Sequence, residues 1–116
     1  MNLSEFIIVT TKENEIGYTD TKPRIVCHDG FSISVQAGKS MYSNPRKTAI
    51  EYTELELGYP SEVEELIIKH SDIFPNYSKE EGDDYTETIY PYTPIETVKA
   101  VIEKHGGINV EKTFTK

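Results

Sequence analysis

Apolar positions along the chain come in short clusters whose spacing changes, and each spacing predicts a different element. Phe6 to Thr11 is a short β-branched run and predicts a first strand. In "RIVCHDGFSISVQ" (24–36) two strand-like runs flank Asp29-Gly30, a pair suited to the positive φ angles of a two-residue turn. Such a turn sets His28 opposite Phe31, Val26 opposite Ile33 and Arg24 opposite Val35. Val26, Phe31, Ile33 and Val35 then share an apolar face, and Ser32, Ser34 and Gln36 the other. In "YTELELG" (52–58), Leu55 and Leu57 alternate with Glu54 and Glu56, so a half-exposed strand is expected.

Later the period becomes helical. Ser61 with Glu64 has the spacing of a capping box, and predicts a helix through His70 with Val63, Leu66 and Ile67 turned inward. "TPIETVKAVIEKHGG" offers Thr93 as N-cap, Pro94 at the first helical position and Glu96 as a second box partner. Ile95, Val98, Val101 and Ile102 form its inner stripe, and Gly106 is placed to end it in the left-handed conformation. "INVEKTF" alternates and suggests a short final strand, while the polar, tyrosine-rich stretch "NYSKEEGDDYTETIYPY" between the helices reads as a surface loop. The sum is an α+β fold: residues 1–116 as a single α+β domain, an antiparallel sheet of three to five strands with two helices packed on one face.

Charge narrows the function classes. Twenty acids against twelve bases give −8 in 116 residues, which argues against direct nucleic-acid or anionic-membrane binding and allows a positively charged partner. The lone Cys27 excludes an internal disulfide and sits in an apolar run, as a buried structural thiol would. The opening residues do not resemble a signal peptide and nothing approaches a membrane span, so a cytoplasmic location is expected.

Candidate chemistry is sparse. "AGKS" (37–40) lacks the upstream glycine of a phosphate loop, since Ile33 stands there, and it runs into the Asn44-Pro45 turn instead of a helix. The charge pattern around it is nevertheless uneven. Residues 30–50 contain no acid but carry Lys39, Arg46 and Lys47, whereas residues 51–87 hold twelve acids and two bases. Arg46 behind Pro45 is a planar fork suited to a phosphate or carboxylate, with Tyr42 and Met41 as a wall; alternatively it pairs with Glu54 or Glu56 and braces the loop. The three histidines share no metal-like spacing: His70 and His105 sit where helix C-termini favour a cation, and Asp29 could orient His28 as a base. "KEEGDD" lacks the spacing of a calcium loop. No cofactor, metal site or enzymatic constellation is expected.

"DGFSISVQAGKSMYSNPR", "ELGYPSE", "TIYPYTPIETV" and "IEKHGG", in that order, resemble a family of small acidic proteins encoded by phages and prophages of Gram-positive bacteria. The resemblance implies a compact α+β domain of phage origin in the host cytoplasm but carries no established activity; because small phage proteins of this size and acidity often neutralise bacterial defences, a non-enzymatic anti-defence role is expected. In one form, the protein blocks a bacterial immune effector as anti-CRISPR proteins do, through an acidic, Tyr-rich surface. Glu54, Glu56, Glu62, Glu64, Glu65, Glu80, Glu81, Asp83, Asp84 and Tyr85 are the candidates, with Tyr77, Tyr90 and Tyr92 adding aromatic area. Glu54 and Glu56 are expected on one strand face, and Glu62 and Glu65 on one side of a helix. In the other form it sequesters a nucleotide immune signal through Arg24, Lys39, Tyr42, Arg46 and Lys47, with homo-oligomer formation pooling the cations. An accessory or structural phage role is the third reading.

Overall fold

The computed structural model describes residues 1–12, 15, 17, 21–73 and 85–115. The first apolar run is not a strand. Helix α1 spans Leu3–Thr10, and the side chain of Asn2 accepts from the Glu5 N–H at 2.8 Å while the Glu5 carboxylate accepts from the Asn2 N–H at 3.2 Å. This capping box, with Leu3, Phe6, Ile7 and Thr10 buried at helical spacing, overrides the β preference of Ile7, Ile8 and Val9.

The hairpin forms one residue out of the expected register. β1 (Ile25–Val26) pairs with β2 (Ser32–Gln36) through Ile25↔Ile33 and Val26↔Ser32, and the Cys27 N–H donates to the Phe31 carbonyl at 2.8 Å. The connection is therefore three residues, His28 to Gly30, with Gly30 at φ +98°. Slipping by one turns Ile25 and Cys27 into the core in place of Val26.

β3 (Glu54–Gly58) runs antiparallel to β2, with Leu55 and Leu57 buried as the alternation predicts. On its other side lies β4 (Ile89–Pro94), drawn from a segment the polarity pattern assigned to a loop. Residues 76–84 of that segment fall outside the described residues. The sheet order is β1-β2-β3-β4, all antiparallel, with a bulge between β3 and β4.

α2 (Glu65–Ile73) starts later than expected and without the Ser61–Glu64 box. Ser61 is committed elsewhere: its Oγ accepts from the Ser32 N–H and its own N–H donates to the Ser32 carbonyl. Val63 consequently lies ahead of the helix, 54% exposed, while Ile67 is buried. α3 (Ile95–Lys104) buries Val98, Val101 and Ile102 as expected, but Thr93 is the buried end of β4 and not the cap, its hydroxyl donating to the Tyr90 carbonyl. Pro94 occupies the cap position with no side-chain bond. Gly106 follows at φ +89°.

The expected last strand is a single bridge, Cys27↔Ile108, followed by helix α4 (Val110–Phe114). The Thr113 hydroxyl meets both the N–H and the carbonyl of Val26, and the Asn109 N–H donates to that carbonyl, so β1's outer edge is closed. α2 and α3 pack on each other and on the β3–β4 half of the sheet; α4 lies against β1. Phe6, Ile7, Ile33, Val35, Leu55, Leu57, Ile67, Val98 and Val101 form the centre of the core, each contributing roughly 2 kcal/mol by its burial.

Candidate functional site

The 38–47 loop is built to hold one shape. The Gly38 N–H donates to the Ser43 hydroxyl, which in turn donates to the Pro45 carbonyl. Asn44 exchanges backbone bonds with Glu54 and Thr53, and the Asn44–Pro45 peptide is cis. Tyr42 is bound through both backbone groups: its N–H donates to the Glu56 carboxylate at 3.1 Å, and its carbonyl accepts from the Tyr92 N–H at 3.0 Å. The Tyr42 ring stands edge-on to Tyr92, centroids 5.9 Å apart, and the Arg46 guanidinium lies 5.1 Å from the Tyr42 centroid.

Arg46 thus rests on a ring face, and among the described residues it forms no ion pair. Neither Glu54 nor Glu56 neutralises it, as the bracing alternative required. Lys39 and Lys47 are exposed on the same loop. Arg24 is not part of this cluster. It sits beside Ser32, at the opposite end of β2 from Gln36, the partner of Glu56, a separation of about 13 Å along the strand.

Arg24 instead clamps a second tyrosine. Its Nε donates to the Ser32 hydroxyl at 2.8 Å, and Nη2 to the carbonyls of Ser32 and Tyr59. The Tyr59 N–H donates to the Thr88 carbonyl, at the start of β4. Tyr59 is held at φ +50°, a left-handed conformation rare for a bulky residue, and stands 50% exposed. Ile89, which pairs with Gly58, is exposed next to it; Tyr85 is exposed as well, and its carbonyl accepts from the Tyr90 hydroxyl. Glu62, Glu65 and Glu87 are also exposed. Glu62 precedes α2, so it and Glu65 do not share a helix. Glu54 and Glu56 do share a half-buried strand face. Glu80, Glu81, Asp83, Asp84 and Tyr77 lie outside the described residues.

Sequence spacing missed a buried ionic chain. His105 donates from Nδ1 to Asp29 and from Nε2 to Glu64, both at 2.6 Å, and Lys104 reaches the second Glu64 oxygen at 2.9 Å. Burial opposes the His105 charge, but the bonds to Glu64 and Asp29 outweigh it and hold the imidazole above its ordinary value. Burial likewise disfavours the Glu64 charge, yet Lys104, His105 and the Leu66 N–H keep that carboxyl low. The Phe31 N–H, then His105, lower Asp29. With both nitrogens occupied and the ring buried, His105 joins three segments and is no proton shuttle. Asp29 is spent on this role, leaving His28 without the orienting partner proposed for it.

Cys27 is buried in the core, and desolvation together with Asp29 pushes its thiol up to about 11. Among the described residues no cluster of His, Cys, Asp and Glu could hold a metal ion, and no helix is long and apolar enough to cross a membrane. Clefts of about 620 and 490 Å3 flank Ser4 and Lys99 beside α1, and none of the candidate binding residues lines either. The only sequence signal for the two left-handed tyrosines was their proline-rich setting, "GYPS" and "YPYTP". No family model, curated protein or solved structure matches this chain.

Proposed function

We propose that this chain is a non-enzymatic binding protein that blocks a positively charged protein partner through the face around Tyr59. One observation carries the reading: the backbone of an exposed tyrosine is held in a left-handed conformation by bonds to Arg24 and Thr88. Strain of that kind, on the order of 1–2 kcal/mol, persists where surrounding bonds over-determine it, and it fixes the direction in which the side chain leaves the backbone. Exposed Tyr59, with Ile89 on the paired strand beside Gly58, supplies contact area; the exposed acids Glu62, Glu65 and Glu87, close to Tyr59 and Ile89 in the sequence, select a basic surface. In the phage setting that the sequence resembles, the partner is the nucleic-acid-binding face of an immune effector.

The test is phage plating on Gram-positive hosts that carry an RNA-guided nuclease, with and without this protein. Plaques should be restored by the wild type and lost when Tyr59→Ala, Glu62→Lys and Glu65→Lys are combined in a variant of unchanged melting temperature. Equal protection by that variant would sink the assignment to this face.

A further inference from the structure

We propose that the 38–47 loop is a separate ligand site, for a small molecule that carries both a phosphate and an aromatic ring, which is the nucleotide class. The inference does not depend on the protein-blocking role and rests on different residues.

Three observations converge. First, Arg46 is one of only two arginines in a chain with twenty acids, yet among the described residues it engages a ring face and not a carboxylate. A guanidinium engaged by a ring face and by no carboxylate keeps N–H donors available, and its planar fork can grip a phosphate with two bonds. Second, the loop needs no rearrangement to offer it. Ser43 is 1% exposed and ties Gly38 to Pro45, while Asn44 and Tyr42 are bonded to β3 and β4. Third, Tyr92 sits at φ +51° inside a strand, a conformation a bulky residue adopts only under constraint. The constraint puts its N–H on the Tyr42 carbonyl and its ring edge-on to Tyr42. The result is a two-ring corner, with Tyr42 43% exposed, beside a guanidinium.

The division of labour follows from the chemistry. Arg46, with Lys47 next to it, takes the phosphate; the exposed part of the Tyr42 ring, with half-buried Tyr92 beside it, gives the base an aromatic surface, where stacking is tolerant of base identity. Glu56, on β3, does not cancel the site's charge alone, because one carboxylate accepting the Tyr42 N–H stands against three cations, Lys39, Arg46 and Lys47, on an acid-free loop. Arg24 plays no part, being at the other end of β2.

Calorimetric titration of the intact chain with AMP tests this, with adenosine and inorganic phosphate as separate titrants. AMP should bind, and adenosine and phosphate should each bind at least about tenfold more weakly. Arg46→Ala and Tyr42→Ala should each weaken AMP at least about tenfold, whereas Tyr42→Phe keeps it, because only the ring is used. Arg46→Lys should not rescue, since it returns charge without the planar fork. Arg46 is exposed and its backbone is not replaced, so melting temperatures should be unchanged and any loss is one of binding. No heat with AMP up to about 10 mM, AMP binding untouched by Arg46→Ala, or phosphate binding as tightly as AMP would each overturn the proposal. None of these outcomes touches the Tyr59 face.

Discussion

The imidazole of His105 lies flat against the ring of Phe31, centroids 4.0 Å apart and planes 11° from parallel, with a carboxylate at each nitrogen. One side chain thereby fastens the hairpin turn, the approach to α2 and the end of α3. The bonds to Asp29 and Glu64 both need a proton on the ring.

This gives stability a pH window whose sign can be worked out. His105 is raised in the fold, so its contribution is complete below the ordinary imidazole value of 6.5 and fades as pH climbs through the folded value. Glu64 and Asp29 are lowered, so theirs are complete above 4.5 and 3.8 and fade as pH falls through the folded values. Melting temperature should plateau between about pH 4.5 and 6.5 and decline on either side. His105→Gln should flatten the decline between pH 6.5 and 8; an unchanged alkaline limb would assign it to another group.

Lys22 is expected to be a liability at neutral pH. Its ammonium is 3% exposed, bonded to the Thr10 and Thr11 hydroxyls, and burial lowers it to about 8. Those hydroxyls already donate to the Phe6 and Ile7 carbonyls, so removing the amine orphans nothing. What is lost is a cation at the C-terminal end of α1, which favours one. Lys22→Met should raise stability at pH 7 by about 1 kcal/mol, because a buried charge is replaced by an apolar isostere. Urea titrations at pH 7 and 9.5 check it, and the gain should shrink at the higher pH, where the wild-type amine is already neutral.

Two glycines separate backbone strain from contact. Gly30 and Gly106 both have left-handed φ, but a Cβ on Gly30 meets nothing within 4 Å, whereas on Gly106 it lies 3.3 Å from the His28 Cβ. Gly30→Ala should cost about 1 kcal/mol, from conformation alone. Gly106→Ala should cost more, by the displacement of His28 and of the adjoining Gly107–His28 backbone bond. Denaturant midpoints of the two variants, compared directly, decide the order.

Arg24→Lys should uncouple Tyr59 without removing any surface group. A lysine amine cannot reach the Ser32 hydroxyl and both carbonyls in one plane. Stability should fall by about 1 kcal/mol, since one or two hydrogen bonds are lost. Plating protection should fall with it at a temperature where the variant is fully folded; full protection would mean that the tyrosine's fixed pose is irrelevant.

Much of the sheet was legible from alternation. Leu55 and Leu57 announced β3, and the stripe Val98, Val101 and Ile102 announced α3. The misassignments have local causes. At α1 the β-branched residues spoke for a strand, while Asn2 and Glu5, three apart, held the outvoting cap. The hairpin slipped because Asp29 looked like the first half of a two-residue turn; its carboxylate instead accepts the Phe31 N–H and turns toward His105. Ser61 and Glu64 had the right spacing for a capping box, but tertiary partners claimed both. The candidate loop was legible as a cationic exception, and Arg46 beside Tyr42 was anticipated. Arg24's distance from it was not, because nothing in a linear pattern says which end of β2 a neighbouring arginine serves. Tyr92's approach to Tyr42 joins residues fifty positions apart, beyond the reach of any periodicity.

The closure of β1 by Thr113 and Asn109 bears on how this protein would fail. A two-residue strand at the margin of a sheet offers its outward N–H and carbonyl to any other chain that meets it. Here those groups are already occupied by a hydroxyl and an amide from residues more than eighty positions later. Proteolytic trimming or mutation that frays α4 would therefore do more than loosen a short helix. It would expose a sticky margin flanked by Ile25 and Cys27, turning the folded chain into a template for fibrous self-stacking.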